Sequence, residues 1–220
     1  MEQQDNNELA KQLRCPTGDD GVKVGNTMYA SNSNMIYKTI DRLNIKAGMQ
    51  VLELGFGNGR HLPYLFSKEK NINYRGIELS DVMLSEASEF NKELIKQHKV
   101  VFTLGDDSGK IAFDDKSIDN CFSINTIYFW EEPNKYFQEA YRILKSEGQL
   151  TLAFIQKDFI QKQSFVTPEV FHFHKTEWLI RLLTNIGFYN IEQWQYMENT
   201  TNKVGQHVVR PFVILKATKL

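Results

Sequence analysis

Short unbroken apolar runs alternate along this chain with stretches whose apolar residues recur every three or four positions. The runs are "MQVLEL" after Gly48, then "INYRGIEL", "KVVFTLG", "SIDNCFSINTIYF" and "QLTLAFI". Each reads as a strand apolar enough to be buried on both faces. Between the first two, a helix starting near Asn58 turns Leu62, Leu65 and Phe66 inward. After the second, Ser80 suits an N-cap and Asp81 a first turn, and Met83, Ala87, Phe90 and Leu94 repeat at helical spacing. Glu131, Glu132 and Pro133 open another helix, with Phe137, Ala140, Tyr141 and Leu144 inside and Gly148 closing it. Strand and helix in repetition predict an α/β fold, a doubly wound and mostly parallel sheet with helices on both faces.

The two ends depart from this rhythm. Residues 1 to about 25 carry little periodicity and read as a mobile or loosely docked arm. In "NTMYASNSNMIYKTIDRL", Met28, Met35, Ile36, Thr39, Ile40 and Leu43 give a helical stripe, clearest in its second half. At the other end, "TEWLIRLLTNIGF" is a helix closed by Gly187, "YNIEQWQY" alternates like a strand, and "VVRPFVILKAT" is another. With no helix between them, these last two should pair antiparallel. Pro211 then belongs at a strand's start or at a bulge. No internal repeat or linker interrupts the chain, so residues 1–220 read as one domain.

Composition narrows the class. The 220 residues suffice for one well-buried α/β domain, and 41% apolar content is ordinary for a globular protein. Lys plus Arg number 26 against 27 Asp plus Glu, so no charge surplus favours nucleic acid or an anionic membrane. The polar start "MEQQDNNELAKQLRC" is no signal peptide, and no run approaches the ~20 apolar residues of a membrane span. Cys15 and Cys121 are the only cysteines and read as reduced thiols, which makes the cytoplasm the default compartment.

The chemistry-bearing stretch is "VLELGFGNGR", Val51 to Arg60. Glu53 and then Gly55, Gly57 and Gly59 give the pattern E-x-G-x-G-x-G between a strand and a helix. A dinucleotide site needs G-x-G-x-x-G, and its third glycine would fall on Arg60. Glycines here let backbone approach a ligand with no Cβ between them. Glu78 ends the second strand and can accept two ribose hydroxyls, although a dehydrogenase would place an acid similarly. Such a residue should be removable without harm to the unliganded fold.

"VLELGFGNGRHLPYL" resembles the first motif of class I S-adenosylmethionine-dependent methyltransferases. The resemblance continues through "YRGIELSDVML" and "LGDDSGKIAFDDKSIDNCFSINTIYFWEEPNKYFQEAYRILKSEGQLTLAF", covering roughly residues 35 to 217. It is nearest to the type 11 group of small-molecule enzymes, ubiquinone and menaquinone methyltransferases among them. Ser146 and Glu147 depart from it, standing where many relatives have a proline and a glycine. The resemblance implies a Rossmann-like seven-stranded sheet with an antiparallel C-terminal strand. It implies S-adenosyl-L-methionine as cofactor, held by Glu53, Gly55, Gly57, Gly59, Glu78 and Leu79. Asp106 would meet the adenine, with Asp107 its rival in register, and Asn125 the methionine end. Tyr29 would close the opposite side.

For the transfer step, Tyr128 and Trp130 fall in the loop after the fourth strand, over the expected methyl position, or else simply pack the next helix. "NTIYFW" is not the N-P-P-Y type of motif used on nitrogen acceptors. His172 and His174 would share one face of an extended segment; His172 is a candidate base, and no further ligands suggest a metal. Residues 156–175, with Phe159, Phe165, Phe171 and Phe173, lie where the family places substrate-covering elements and favour a hydrophobic or ring-bearing small acceptor. Two other readings stay open: a non-catalytic cofactor-binding protein, and a nicotinamide oxidoreductase, which Arg60 and the antiparallel tail oppose.

Overall fold

The computed structural model describes residues 2–202 and 205–220. Met1, Lys203, Val204 and the side chains of Glu2 and Gln3 lie outside the described part, so the first positions of the expected arm are not covered. Seven strands form one sheet: β1 (Gln50–Leu54), β2 (Asn73–Glu78), β3 (Val100–Leu104), β4 (Ile118–Ile124), β5 (Leu144–Ile155), β6 (Phe188–Thr201) and β7 (His207–Lys219). Their order is β3-β2-β1-β4-β5-β7-β6. β1 pairs in parallel with β2 and β4, β2 with β3, and β4 with β5. β7 slots antiparallel between β5 and β6, as the tail pattern requires. The order reverses between β1 and β4, and in such sheets the crevice at that switch point is where ligands sit.

The helices are α1 (Glu2–Arg14), α2 (Gly18–Ile40), α3 (Leu62–Lys68), α4 (Asp81–Phe90), α5 (Lys92–Lys96), α6 (Pro133–Ile143), α7 (Lys157–Ile160) and α8 (Thr176–Ile186). Ser80 caps α4, its Oγ accepting from Met83 N at 3.1 Å, and Gly187 closes α8 in the left-handed region at φ 115°. Val51, Leu52, Phe122, Leu152 and Phe212 pack along the middle of the sheet, with Phe137 from α6 and Leu62 and Leu65 from α3 against it.

Several local expectations change. The N-terminal arm is helical: α1 buries Ala10 and Leu13, and α2 runs from Gly18 without a break. The inner positions of α2 are Gly21, Gly25, Ser31 and Asn32 before Met35, Ile36, Thr39 and Ile40, so small and polar residues hide its first half from a hydrophobic pattern. α3 begins at Leu62 rather than Asn58, because Gly57 and Gly59 both have positive φ. α4 stops at Phe90, which is exposed, and Leu94 belongs to the separate α5. The intervening Asn91 uses Nδ2 to bond Ala87 O and Gly59 O. α6 ends at Ile143, so Leu144 and Gly148 lie in β5. Glu147 has φ 63°, a conformation that favours glycine, which accounts for what relatives keep there.

Pro211 sits inside β7, opposite Met197, and not at the strand's start. Its carbonyl accepts from Gln156 N at 3.1 Å, so its nitrogen also faces β5, just where β5 has ended at Ile155. A residue with an N–H there would bond the Gln156 carbonyl. With proline in place, that carbonyl accepts from Phe159 N and Ile160 N, both at 3.1 Å, and begins α7.

Candidate functional site

Strand β1 delivers the glycine turn to the switch point, and the three glycines do different things there. All have positive φ: 77° at Gly55, 58° at Gly57 and 64° at Gly59. A Cβ on Gly55 would lie 2.4 Å from Thr126 Cγ2, and one on Gly59 would lie 2.9 Å from both Ala87 Cβ and Asn91 Nδ2. Those two serve packing. A Cβ on Gly57 would meet no atom within 4 Å, and Gly57 lines a cavity. Its bare backbone is the one turned to open space.

Glu78 shapes that turn. Its Oε2 accepts from Gly57 N at 2.8 Å, and its Oε1 from Leu79 N at 2.8 Å and Ser80 N at 3.1 Å. Burial pushes its carboxyl above the usual range, partly offset by these three donors. The expectation that Glu78 is structurally dispensable therefore fails, because the carboxylate holds the glycine turn to the start of α4. Oε1 is filled by its two donors, and Oε2, with one, keeps a second lone pair for a ligand.

The cavity runs along the C-terminal ends of the parallel strands. Tyr29, Glu53, Gly55, Gly57, Glu78, Leu79, Asp106, Asp107, Asn125, Tyr128 and Trp130 all line it. Gly59 and His172 are not among its lining residues. Asp106 is exposed, and the Ser108 hydroxyl, with Ser108 N donating at 2.8 Å, lowers its pKa. Asp107 pairs with Arg14 of α1. Asn125 takes φ 64° and donates its N–H to Ala153 O at 2.7 Å. The Tyr29 hydroxyl is bonded to that of Tyr37 at 2.8 Å, and burial raises its pKa to about 12.

Two of the three candidate reactive groups are committed to the fold. The Tyr128 hydroxyl donates toward Asn125 Oδ1 at 3.0 Å and Ile155 O at 3.1 Å, and accepts from Ile155 N. Burial drives its pKa far up, so it holds its proton. Trp130 stacks on Tyr136 at 4.4 Å and meets Phe137 edge-on, packing α6 while one face reaches the cavity. His172 gives its backbone N–H to Tyr128 O at 2.7 Å. His174 stacks on Trp178 at 4.8 Å.

Residues 156–175 form the far wall. Phe159, Phe165 and Phe171 line the cavity, whereas Phe173 packs on Phe171 behind it. Phe165 and Phe171 are also part of the buried core, so this wall is packed in place.

Four residues escaped sequence reading. His61 Nε2 lies 2.7 Å from Glu53 Oε2, which also accepts from the Tyr74 hydroxyl at 2.6 Å, all three buried. Arg14 comes from the supposed arm. Asn32 and Arg210 line the cavity beside β7. Arg210 donates through Nε and Nη2 to Glu198 Oε1, at 2.8 and 2.6 Å, and through Nη2 to Ser31 O at 2.8 Å. Thr200 Oγ1 also donates to Ser31 O, and Asn34 Nδ2 to Glu198 Oε2 at 2.7 Å. The β6–β7 hairpin thus fastens α2 over the cavity, and Asn58 Nδ2 holds it from the glycine turn through Asn26 Oδ1 at 3.3 Å. Opposite charges facing each other at Glu198 and Arg210 were a usable signal only once the hairpin register was known.

Residues 52–152 match the family model described as a methyltransferase domain. An uncharacterized methyltransferase of Bacillus subtilis, YdaC, is 31% identical over 59% of this chain and 68% of its own length. The uncharacterized protein MJ1123 of Methanocaldococcus jannaschii is 30% identical over 77% of this chain and 82% of its own. Among solved structures, phosphoethanolamine N-methyltransferase 2 of Haemonchus contortus, in complex with S-adenosyl-L-methionine, superposes with a TM-score of 0.73. It shares 18% identity and covers 96% of this chain and 60% of its own.

Proposed function

The chain belongs to the class I S-adenosylmethionine-dependent methyltransferases, and from that premise we propose that it moves a methyl group from S-adenosyl-L-methionine to a small-molecule acceptor. The observation that carries the cofactor assignment is Gly57, where a Cβ would enter open cavity space beside a buried carboxylate. That cofactor has no phosphate, and it needs close backbone approach and acids for its ribose and adenine. Glu78 accepts from a ribose hydroxyl on Oε2, with the lone pair that Gly57 N leaves there. Asp106 faces the adenine, since Asp107 is engaged by Arg14. Glu53, braced by His61 and Tyr74, and Asn125 border the amino-acid end. Tyr29 on α2 covers the opposite side.

When bound, the cofactor supplies an activated methyl group. The chain's own part is alignment and exclusion of water. Phe129, Trp130, Phe159 and Phe171 make a dry, ring-lined acceptor side, which suits a hydrophobic or aromatic acceptor. With its proton held by burial, Tyr128 orients Asn125 and β5 and does not act as a base. Calorimetry tests the assignment: S-adenosylmethionine and S-adenosylhomocysteine should bind and NAD should not. Tight NAD binding with silence from both sulfur nucleosides would refute it. Transfer of label from radiolabelled cofactor to members of a metabolite library tests turnover.

A further inference from the structure

The acceptor side of the cavity ends in polar groups that the methyl-transfer reading leaves unused. Asn32 is 8% exposed, lines the cavity, and has a buried Oδ1 with no hydrogen-bond partner among the described residues. A buried amide oxygen left in that state is costly unless something occupies the space before it. Arg210, 3% exposed, lines the same cavity, and its bond to the carbonyl of Ser31 ties it to the turn of α2 that carries Asn32. Nε and Nη2 are committed to Glu198 and Ser31, which leaves the two N–H donors of Nη1. An acceptor oxygen and a pair of donors are therefore offered to a cavity whose wall also holds Met28, Ile155, Phe159 and Phe165, with the polar Gln163 and Asn202.

Charge decides what fits. Arg210 is neutralised by Glu198 in a pair almost closed to solvent, with side chains 4% and 2% exposed. The other charged residues of the cavity wall lie at Glu53 and Glu78 or toward β3, at Arg14, Asp106, Asp107 and Lys110. A carboxylate brought to Arg210 would sit beside the Glu198 carboxylate with no further cation at that end among the described residues, and burying it would cost more than the remaining donors return. A neutral head that offers one N–H or O–H and one carbonyl-type oxygen satisfies both residues at no cost in charge.

Building on the methyltransferase reading, we propose that Asn32 and Arg210 form the head-group subsite for the methyl acceptor and select an uncharged molecule with adjacent hydrogen-bond donor and acceptor on an apolar or aromatic body. Asn32 takes the donor on Oδ1, and Arg210 gives Nη1 to the oxygen. The acceptor's apolar part lies against the phenylalanine wall, which points the molecule's other end toward Asn125 and the methyl group.

Benzamide and benzoate are suitable probes, since they share a ring and differ in charge and in the donor. Both are titrated by NMR into protein saturated with S-adenosylhomocysteine. Benzamide should bind at least about tenfold more tightly than benzoate, and Asn32→Leu should weaken benzamide by about tenfold. That variant should retain wild-type affinity for S-adenosylhomocysteine and wild-type stability, because Oδ1 of Asn32 has no hydrogen-bond partner to lose among the described residues. Equal or tighter benzoate binding, no benzamide binding at millimolar concentration, or an Asn32→Leu protein that binds benzamide normally would each overturn the subsite. If S-adenosylhomocysteine itself fails to bind, the functional reading falls and the subsite with it.

Discussion

At the scale of single residues, the glycine turn separates fold from function. Gly59→Ala must push its Cβ against Ala87 and Asn91 as well as hold a left-handed φ. Gly57→Ala has the same backbone penalty of about 1–2 kcal/mol but no steric one. We expect Gly59→Ala to lose clearly more stability in chemical denaturation, and Gly57→Ala to lose proportionally more affinity for S-adenosylhomocysteine. The pattern E-x-G-x-G-x-G was plain in the sequence. Which glycine meets a ligand was not, since Thr126, Ala87 and Asn91 come from distant elements.

Glu78 carries a second residue-scale expectation. Glu78→Ala strands the N–H groups of Gly57, Leu79 and Ser80. An unsatisfied buried donor costs about 1–3 kcal/mol. Thermal unfolding without ligand should therefore shift downward by several degrees, and calorimetry should show cofactor affinity falling at least about tenfold, by roughly 1.4 kcal/mol or more. An unchanged melting curve would mean that solvent or a shifted loop replaces those bonds.

At the scale of elements, hydrophobic rhythm found every strand and most helices, and it failed where a helix faces a cavity instead of a core. The inward side of α2 is Gly25, Met28, Tyr29 and Asn32 through its middle, and no apolar stripe can mark such a face. Acids at Asp19 and Asp20 in its first turn were the available signal. Pro211 misled in the opposite direction. It belongs inside a paired strand because its silent nitrogen meets the point where β5 turns into α7.

The wall between residues 156 and 175 has a pH dependence with a definite sign. His174 titrates below its ordinary 6.5, first because burial disfavours the cation and next because His172 and Lys157 repel it. Its bond to the Trp130 carbonyl acts the other way. A histidine held neutral stabilises the fold above pH 6.5, and that contribution is lost as pH falls through the lowered value. Amide exchange from Lys157 to Lys175, corrected for intrinsic rates, should accelerate at about pH 5 relative to β5. His174→Phe, which keeps the stack on Trp178, should flatten that difference.

At the scale of the molecule, the mostly parallel, doubly wound sheet and its antiparallel tail were legible because alternation of strand and helix leaves few topologies open. The cavity's closure was legible only at Tyr29, since the rest depends on α2 crossing from the glycine turn to the hairpin. S-adenosylhomocysteine should therefore slow amide exchange along α2 from Gly25 to Ile36 as well as at Gly55–Asn58. Protection confined to the glycine turn would show that α2 does not cover the ligand.

One rod spanning both ends of the cavity has a thermodynamic corollary. Helix α2 is fastened through Asn26 at one end and through Ser31 and Asn34 at the other. A molecule that steadies it from beneath either half spares the next arrival part of the ordering entropy. The two ligands then favour one another, and linkage makes the favour symmetric: the factor by which an acceptor tightens the nucleoside is the factor by which the nucleoside tightens the acceptor. If methyl transfer is this protein's reaction, the spent nucleoside and the methylated product would hold one another in place, and release of both should quicken together when that rod is loosened.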